Sequence, residues 1–175
     1  SAIDVETVRY YYLGSHHALI GKPKGTPPFK TIVYSYDEFY DWAGKTLANR
    51  MGYSLEALAR YFAAKGYLCV IPIERYRKVH AILGVTAYLQ QNEIANQQEL
   101  HLIGMSEGAF MNVIVAETQP IFKTMTCIAP IRINDKGYLS FEQFNHKTPQ
   151  QPSMPVLFLM AYDMGWRINQ QRSIY

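Results

Sequence analysis

Glu99-Leu100-His101-Leu102-Ile103-Gly104-Met105-Ser106-Glu107-Gly108-Ala109-Phe110 reads as a strand, a sharp turn and the start of a helix. Leu100 to Ile103 supplies the strand, and Phe110 to Glu117 continues the helix until Pro120 bars further extension. Between them stands Gly-x-Ser-x-Gly. Gly104 and Gly108 leave room for a turn too tight for side chains at those positions. Ser106 is expected at its tip, in strained backbone geometry, with its hydroxyl exposed and a helix N-terminus beneath it. A serine presented this way between strand and helix is read as a nucleophile.

Outward from this turn, strands and helices alternate. Tyr67 to Ile73 is a near-continuous apolar run, which suits a strand covered on both faces. Val79, Ile82, Leu83, Thr86 and Leu89 line one face of a long helix. Ser54 reads as the N-cap of another, with Glu56 in its first turn, Leu55, Leu58, Ala59 and Phe62 at helical spacing, and Gly66 closing it. Lys30 to Tyr36, Lys123 to Ala129 and Met154 to Met160 are further strands, and Ile3 to Leu13 is a strand or hairpin arm. Gly21 to Pro28 is a loop, and Asp37 to Gly52 a polar and aromatic excursion. Asp135 to Ser153 is polar, with a short helix at Ser140 to Phe144, and a last helix starts near Trp166. The pattern predicts an α/β fold, a mostly parallel sheet with helices on both faces. Residues 1–175 form one domain on this reading, with 135–153 a small insertion or lid.

Composition narrows the function classes. The chain has 175 residues, 49% of them apolar and 14% aromatic, enough for a compact core. The net charge is +3, with Lys and Arg scattered, so nothing points to nucleic acid. No apolar stretch approaches the roughly 20 residues of a membrane span. The two cysteines, Cys69 and Cys127, fall in predicted strands without metal or redox spacing. Buried thiols weigh towards a reducing, cytoplasmic compartment; a mature secreted or periplasmic chain stays open, since it too lacks a signal peptide. Phosphate-cradling loops are not indicated, because the turn has neither Gly-x-Gly-x-x-Gly nor a Walker Lys-Ser/Thr ending.

With its strand-turn-helix placement around Ser106, the chain resembles the α/β-hydrolase superfamily, and within it the small dienelactone-hydrolase-like esterases. The resemblance runs over about residues 5–175, with Gly-x-Ser-x-Gly as its specific motif and element order as the rest. It implies that Ser106 is the nucleophile and that the acid follows a later strand, which places it at Asp163, beyond Met154 to Met160. It also implies an oxyanion hole. One donor would be the Glu107 N–H, the other a backbone group near Tyr36 or Asp37. The family's usual His-Gly or Gly-Gly is replaced there by Ser35-Tyr36-Asp37-Glu38-Phe39. Tyr36, Asp37, Glu38, Trp42 and Met105 are therefore also candidates for lining a substrate pocket. The implied substrate is a small acyl compound, with no metal or organic cofactor; a homo-oligomer is compatible with the sequence.

The departure from the family lies in the base. Its order is Ser, Asp, His, yet no histidine follows Asp163. His16 and His17 are expected in a surface loop before the core, His80 at a helix start, and His101 packed in the strand feeding the turn. His146, in the polar stretch, is the only candidate replacement. Two explanations stand: the histidine lies beyond Tyr175 in a longer protein, which is favoured, or this is a noncatalytic binding or scaffold relative.

Overall fold

A computed structural model of the chain describes residues 3–129 and 154–159. Its strands are β1 (Val5–Tyr11), β2 (Ser15–Gly21), β3 (Phe29–Ser35), β4 (Leu68–Ile73), β5 (Ala95–Met105), β6 (Thr124–Ile128) and β7 (Val156–Leu159). They form one seven-stranded sheet in the order β1-β2-β4-β3-β5-β6-β7. β2 runs antiparallel to β1 and β4, and β4, β3, β5, β6 and β7 are mutually parallel. Helices α1 (Glu38–Ala43), α2 (Lys45–Arg50), α3 (Leu55–Ala64), α4 (Lys78–Gln91) and α5 (Glu107–Thr118) connect them. The expected mostly parallel α/β sheet is what the chain forms.

Period-two alternation divides the core between two faces. Val33, Leu68, Val70 and Leu102 pack with Ile82, Val85 and Leu89 of α4 and Ala109 and Val115 of α5. Ile32, Tyr34, Cys69 and Ile71 point the other way, into Tyr40, Ala48, Leu55 and Ala59 of α1, α2 and α3. Both cysteines are buried free thiols, each pushed up to about 12 by loss of solvent. Ser54 caps α3 by accepting the Ala57 N–H at 3.1 Å. Past its end, the Gly66 and Tyr67 N–H groups bond the carbonyls of Ala63 and Phe62, with Gly66 at φ 94°, so the closing glycine was read correctly.

His16 and His17 are a correction. Both lie in β2, an interior strand of the sheet, and not in a surface loop. His16 is buried because its ring nitrogens have partners: Nδ1 lies 3.1 Å from Glu74 Oε2 and Nε2 2.8 Å from the Tyr12 carbonyl. The polar character of the pair concealed a strand whose His16, Ala18 and Ile20 all face inward. The Asp37 to Gly52 excursion resolves into α1 and α2. The expected insertion at 135–153, the short helix at 140–144 and the helix from Trp166 lie outside the described residues.

Strand order positions the site. β3 sits between β4 and β5, so the chain leaves β3 towards one side and returns to its other side as β5. Such a reversal opens a crevice at the carboxyl ends of the strands. The segment after β3 and the turn after β5 meet there.

Candidate active site

Ser106 follows β5 and precedes α5 with φ 59° and ψ −120°, a conformation that L-residues rarely adopt. The turn is locked from three sides. The Ser106 N–H donates to the Ile128 carbonyl of β6 at 2.7 Å. A Cβ at Gly104 would lie 2.5 Å from the Ala109 Cα. One at Gly108 would lie 2.2 Å from the Ser35 carbonyl oxygen and 2.4 Å from that of Tyr36. Both glycines are thus demanded by backbone packed against them, and Gly108 presses the start of α5 onto the end of β3. Beside this contact the Ser35 hydroxyl donates to Asn112 Oδ1 at 2.7 Å, tying β3 to the fully buried side chain of Asn112 on α5.

The serine is buried, with 2% of its surface exposed, where an exposed hydroxyl was expected. Beside it stands Glu38, in the first turn of α1. Ser106 Oγ donates to Glu38 Oε1 at 3.1 Å, and the Glu107 N–H donates to Glu38 Oε2 at 3.3 Å. One carboxylate therefore spans the hydroxyl and the adjacent amide at the head of α5, where the helix dipole favours negative charge.

Below lies a buried ionic cluster. The Lys78 ammonium, at the start of α4, is 2.6 Å from Asp41 Oδ2, 3.8 Å from Glu107 Oε2 and 4.5 Å from the centroid of the Tyr36 ring. The Tyr36 hydroxyl lies 2.8 Å from Asp41 Oδ1 and 2.7 Å from the Glu74 carbonyl, and it accepts the Glu74 N–H at 3.0 Å. α1, α4, α5 and the ends of β3 and β4 are joined in this way around the turn. Loss of solvent raises the Glu107 carboxyl above its usual range, against the pull of Lys78, and Glu38 and Asp41 raise it further. Burial likewise raises Asp37. Replacing Lys78 by methionine leaves the Asp41 and Glu107 carboxylates without their cation, and is expected to cost about 3–5 kcal/mol in urea unfolding at neutral pH. A loss below about 1 kcal/mol would show that the cluster is not what joins these helices.

No protein-family model matches the sequence, and no curated protein matches it either. Solved structures do. A protein of Klebsiella pneumoniae named as a putative dienelactone hydrolase is 15% identical and superposes with a TM-score of 0.65 over 99% of this chain and 81% of its own. The esterase domain of a Rhodothermus marinus protein is 14% identical, with a TM-score of 0.70 over 98% of this chain and 82% of its own. An acylaminoacyl peptidase from Pyrococcus horikoshii is 12% identical at a TM-score of 0.65, and this chain, covered to 99%, spans only 35% of it.

The chain has an α/β-hydrolase-like fold.

Within this α/β-hydrolase-like fold the structure brings some of the sequence candidates together. Ser106 and Glu107 both bond the Glu38 carboxylate, and Gly108 of the same turn is packed against the carbonyls of Ser35 and Tyr36. Asp37 caps α1, its Oδ1 accepting the Tyr40 N–H at 3.3 Å. Met105 turns to the α3 side of the sheet, where the Tyr34 hydroxyl is 3.8 Å from its sulfur. Trp42 is 77% exposed, its ring 6.2 Å from that of Phe39. Asp163 and His146 lie outside the described residues. His101 bonds Thr124 and Glu99, His16 bonds Glu74 and Tyr12, His80 stands edge-on to Tyr12, and His17 is exposed on β2. Lys78, Asp41 and Glu74 were not foreseen. One signal was available for Lys78, since a cation in the first turn of a helix opposes the dipole and calls for a local anion.

Proposed function

We propose that this α/β-hydrolase-like chain is a serine hydrolase acting on a carboxylic ester through an acyl-enzyme on Ser106. Thioesters and amides are the less favoured substrates. The observation that carries the reading is Ser106 itself, held at positive φ between two glycines whose Cβ positions are filled by packed backbone. Strain of this kind is retained where the surroundings over-determine it, and it clusters at reactive groups.

In this reading the substrate carbonyl oxygen takes the place of Glu38 Oε2 at the Glu107 N–H, and a backbone N–H near Tyr36 is the second donor. Ser106 Oγ attacks the acyl carbon while its proton passes to an imidazole oriented by Asp163. The tetrahedral oxyanion collapses, the alcohol leaves with that proton, and water releases the acid by the same steps in reverse order. Both the imidazole and Asp163 come from outside the described residues. Lys78 supports the donors by holding Asp41 of α1 and the Glu107 side chain of α5 to one point.

The test is intact mass before and after a fluorophosphonate probe, with peptide mapping. A single adduct on Ser106, absent from Ser106→Ala, is expected. A noncatalytic binding domain is the second reading, favoured by the Glu38 carboxylate that occupies the Glu107 N–H. An unlabelled Ser106 in folded protein that still binds an ester saturably would select it.

A further inference from the structure

His101, five residues before Ser106 and at roughly 3.3 Å per strand residue about 16 Å away, is a base beside a second hydroxyl. His101 Nε2 lies 3.0 Å from Glu99 Oε2, and its Nδ1 lies 2.7 Å from Thr124 Oγ1. An ionised carboxylate only accepts hydrogen bonds, so Nε2 must carry the ring proton. In the neutral imidazole Nδ1 is then a lone pair, and the Thr124 hydroxyl is its donor. Hydroxyl, base and orienting acid follow in the order that activates a nucleophile.

The surroundings reinforce this arrangement. The Lys123 ammonium is 2.7 Å from the other Glu99 oxygen, and it and then His101 hold the Glu99 carboxyl below its usual range, keeping it ionised. The Tyr67 ring stands edge-on to the imidazole, with centroids 6.4 Å apart and planes at 80°. Thr124 and His101 are both partly exposed, on the face of β5 and β6 away from α4 and α5.

We propose that Thr124 is a self-acylation site that accepts the acyl group of small activated donors with good leaving groups, such as acyl phosphates and thioesters. Thr124 Oγ attacks the acyl carbon and gives its proton to His101 Nδ1. The bond from that carbon to the leaving group breaks, the leaving group departs with the electron pair, and His101 returns the proton to it or to water. The product is an ester of Thr124. This site is independent of the reading of Ser106.

The experiment uses p-nitrophenyl acetate on Ser106→Ala protein, which removes the other candidate nucleophile, with peptide mapping over time. Thr124 is expected to acetylate about a hundredfold faster than the other serine and threonine hydroxyls, within the range that a positioned base supplies. Thr124→Val should remove that adduct, and His101→Gln should slow its formation about tenfold or more. If His101→Gln does not fold, Glu99→Gln must still slow it severalfold. Labelling of Thr124 no faster than elsewhere, or at a rate indifferent to these changes at His101 and Glu99, would overturn the proposal.

Discussion

Ser106→Ala is expected to lower ester hydrolysis by a factor on the order of 10⁶ in kcat, the loss seen when the nucleophile of a hydroxyl–imidazole–carboxylate set is removed. The residue of activity would come from the oxyanion donors and from binding alone. Folding should change little, because alanine at φ 59° is as strained as serine. Ser106→Gly separates the two roles. It also removes the nucleophile, yet it relieves the backbone and should raise stability by about 1 kcal/mol. Steady-state hydrolysis and urea unfolding of the three proteins decide the matter. Hydrolysis that survives Ser106→Ala would end the serine-hydrolase reading.

Gly108→Ala is expected to be the most damaging single-carbon change near the site. Its Cβ would fall 2.2 Å and 2.4 Å from the carbonyl oxygens of Ser35 and Tyr36. Neither can rotate aside as a side chain end would, so β3 and α5 must separate. Forced overpacking against backbone should cost about 3 kcal/mol or more. Activity should fall further than stability explains, since the shift carries the Glu107 N–H away from the loop proposed to bear the second donor. Gly52 is the control. It has φ 82° but open space around it, so alanine there should cost only the left-handed backbone penalty, about 1–2 kcal/mol. Equal losses at the two positions would show that the close approach of α5 to β3 is not the decisive constraint.

Much of this was legible in the sequence because it is local. The two glycines, the strand before them and the helix after them lie within a dozen residues. A near-continuous apolar run marked β4, helical spacing marked α3 and α4, and a cap marked the start of α3, without reference to anything distant. What stayed hidden depends on contacts across the chain. Glu38 and Ser106 are 68 positions apart, and no periodicity links them. Lys78 and Asp41 form their pair only because β3 and β4 end side by side. β2 was concealed because a histidine inside a sheet becomes compatible with burial only once Glu74 and the Tyr12 carbonyl are known to meet it. The expected exposure of the Ser106 hydroxyl failed for the same reason, since Glu38 meets it from a distant element.

The Glu38 carboxylate has a thermodynamic consequence. Its two oxygens bond two groups that the proposed catalysis needs separately, one the hydroxyl of Ser106 and the other the amide of Glu107. A competitor for the amide therefore weakens the hold on the hydroxyl as well, and by linkage the two effects are equal in free energy. In a serine hydrolase so arranged, the arrival of an acyl oxygen at the amide would itself loosen the hold on the attacking group. Reactivity and recognition would then be a single equilibrium, set by how well the incoming oxygen replaces a carboxylate already in place.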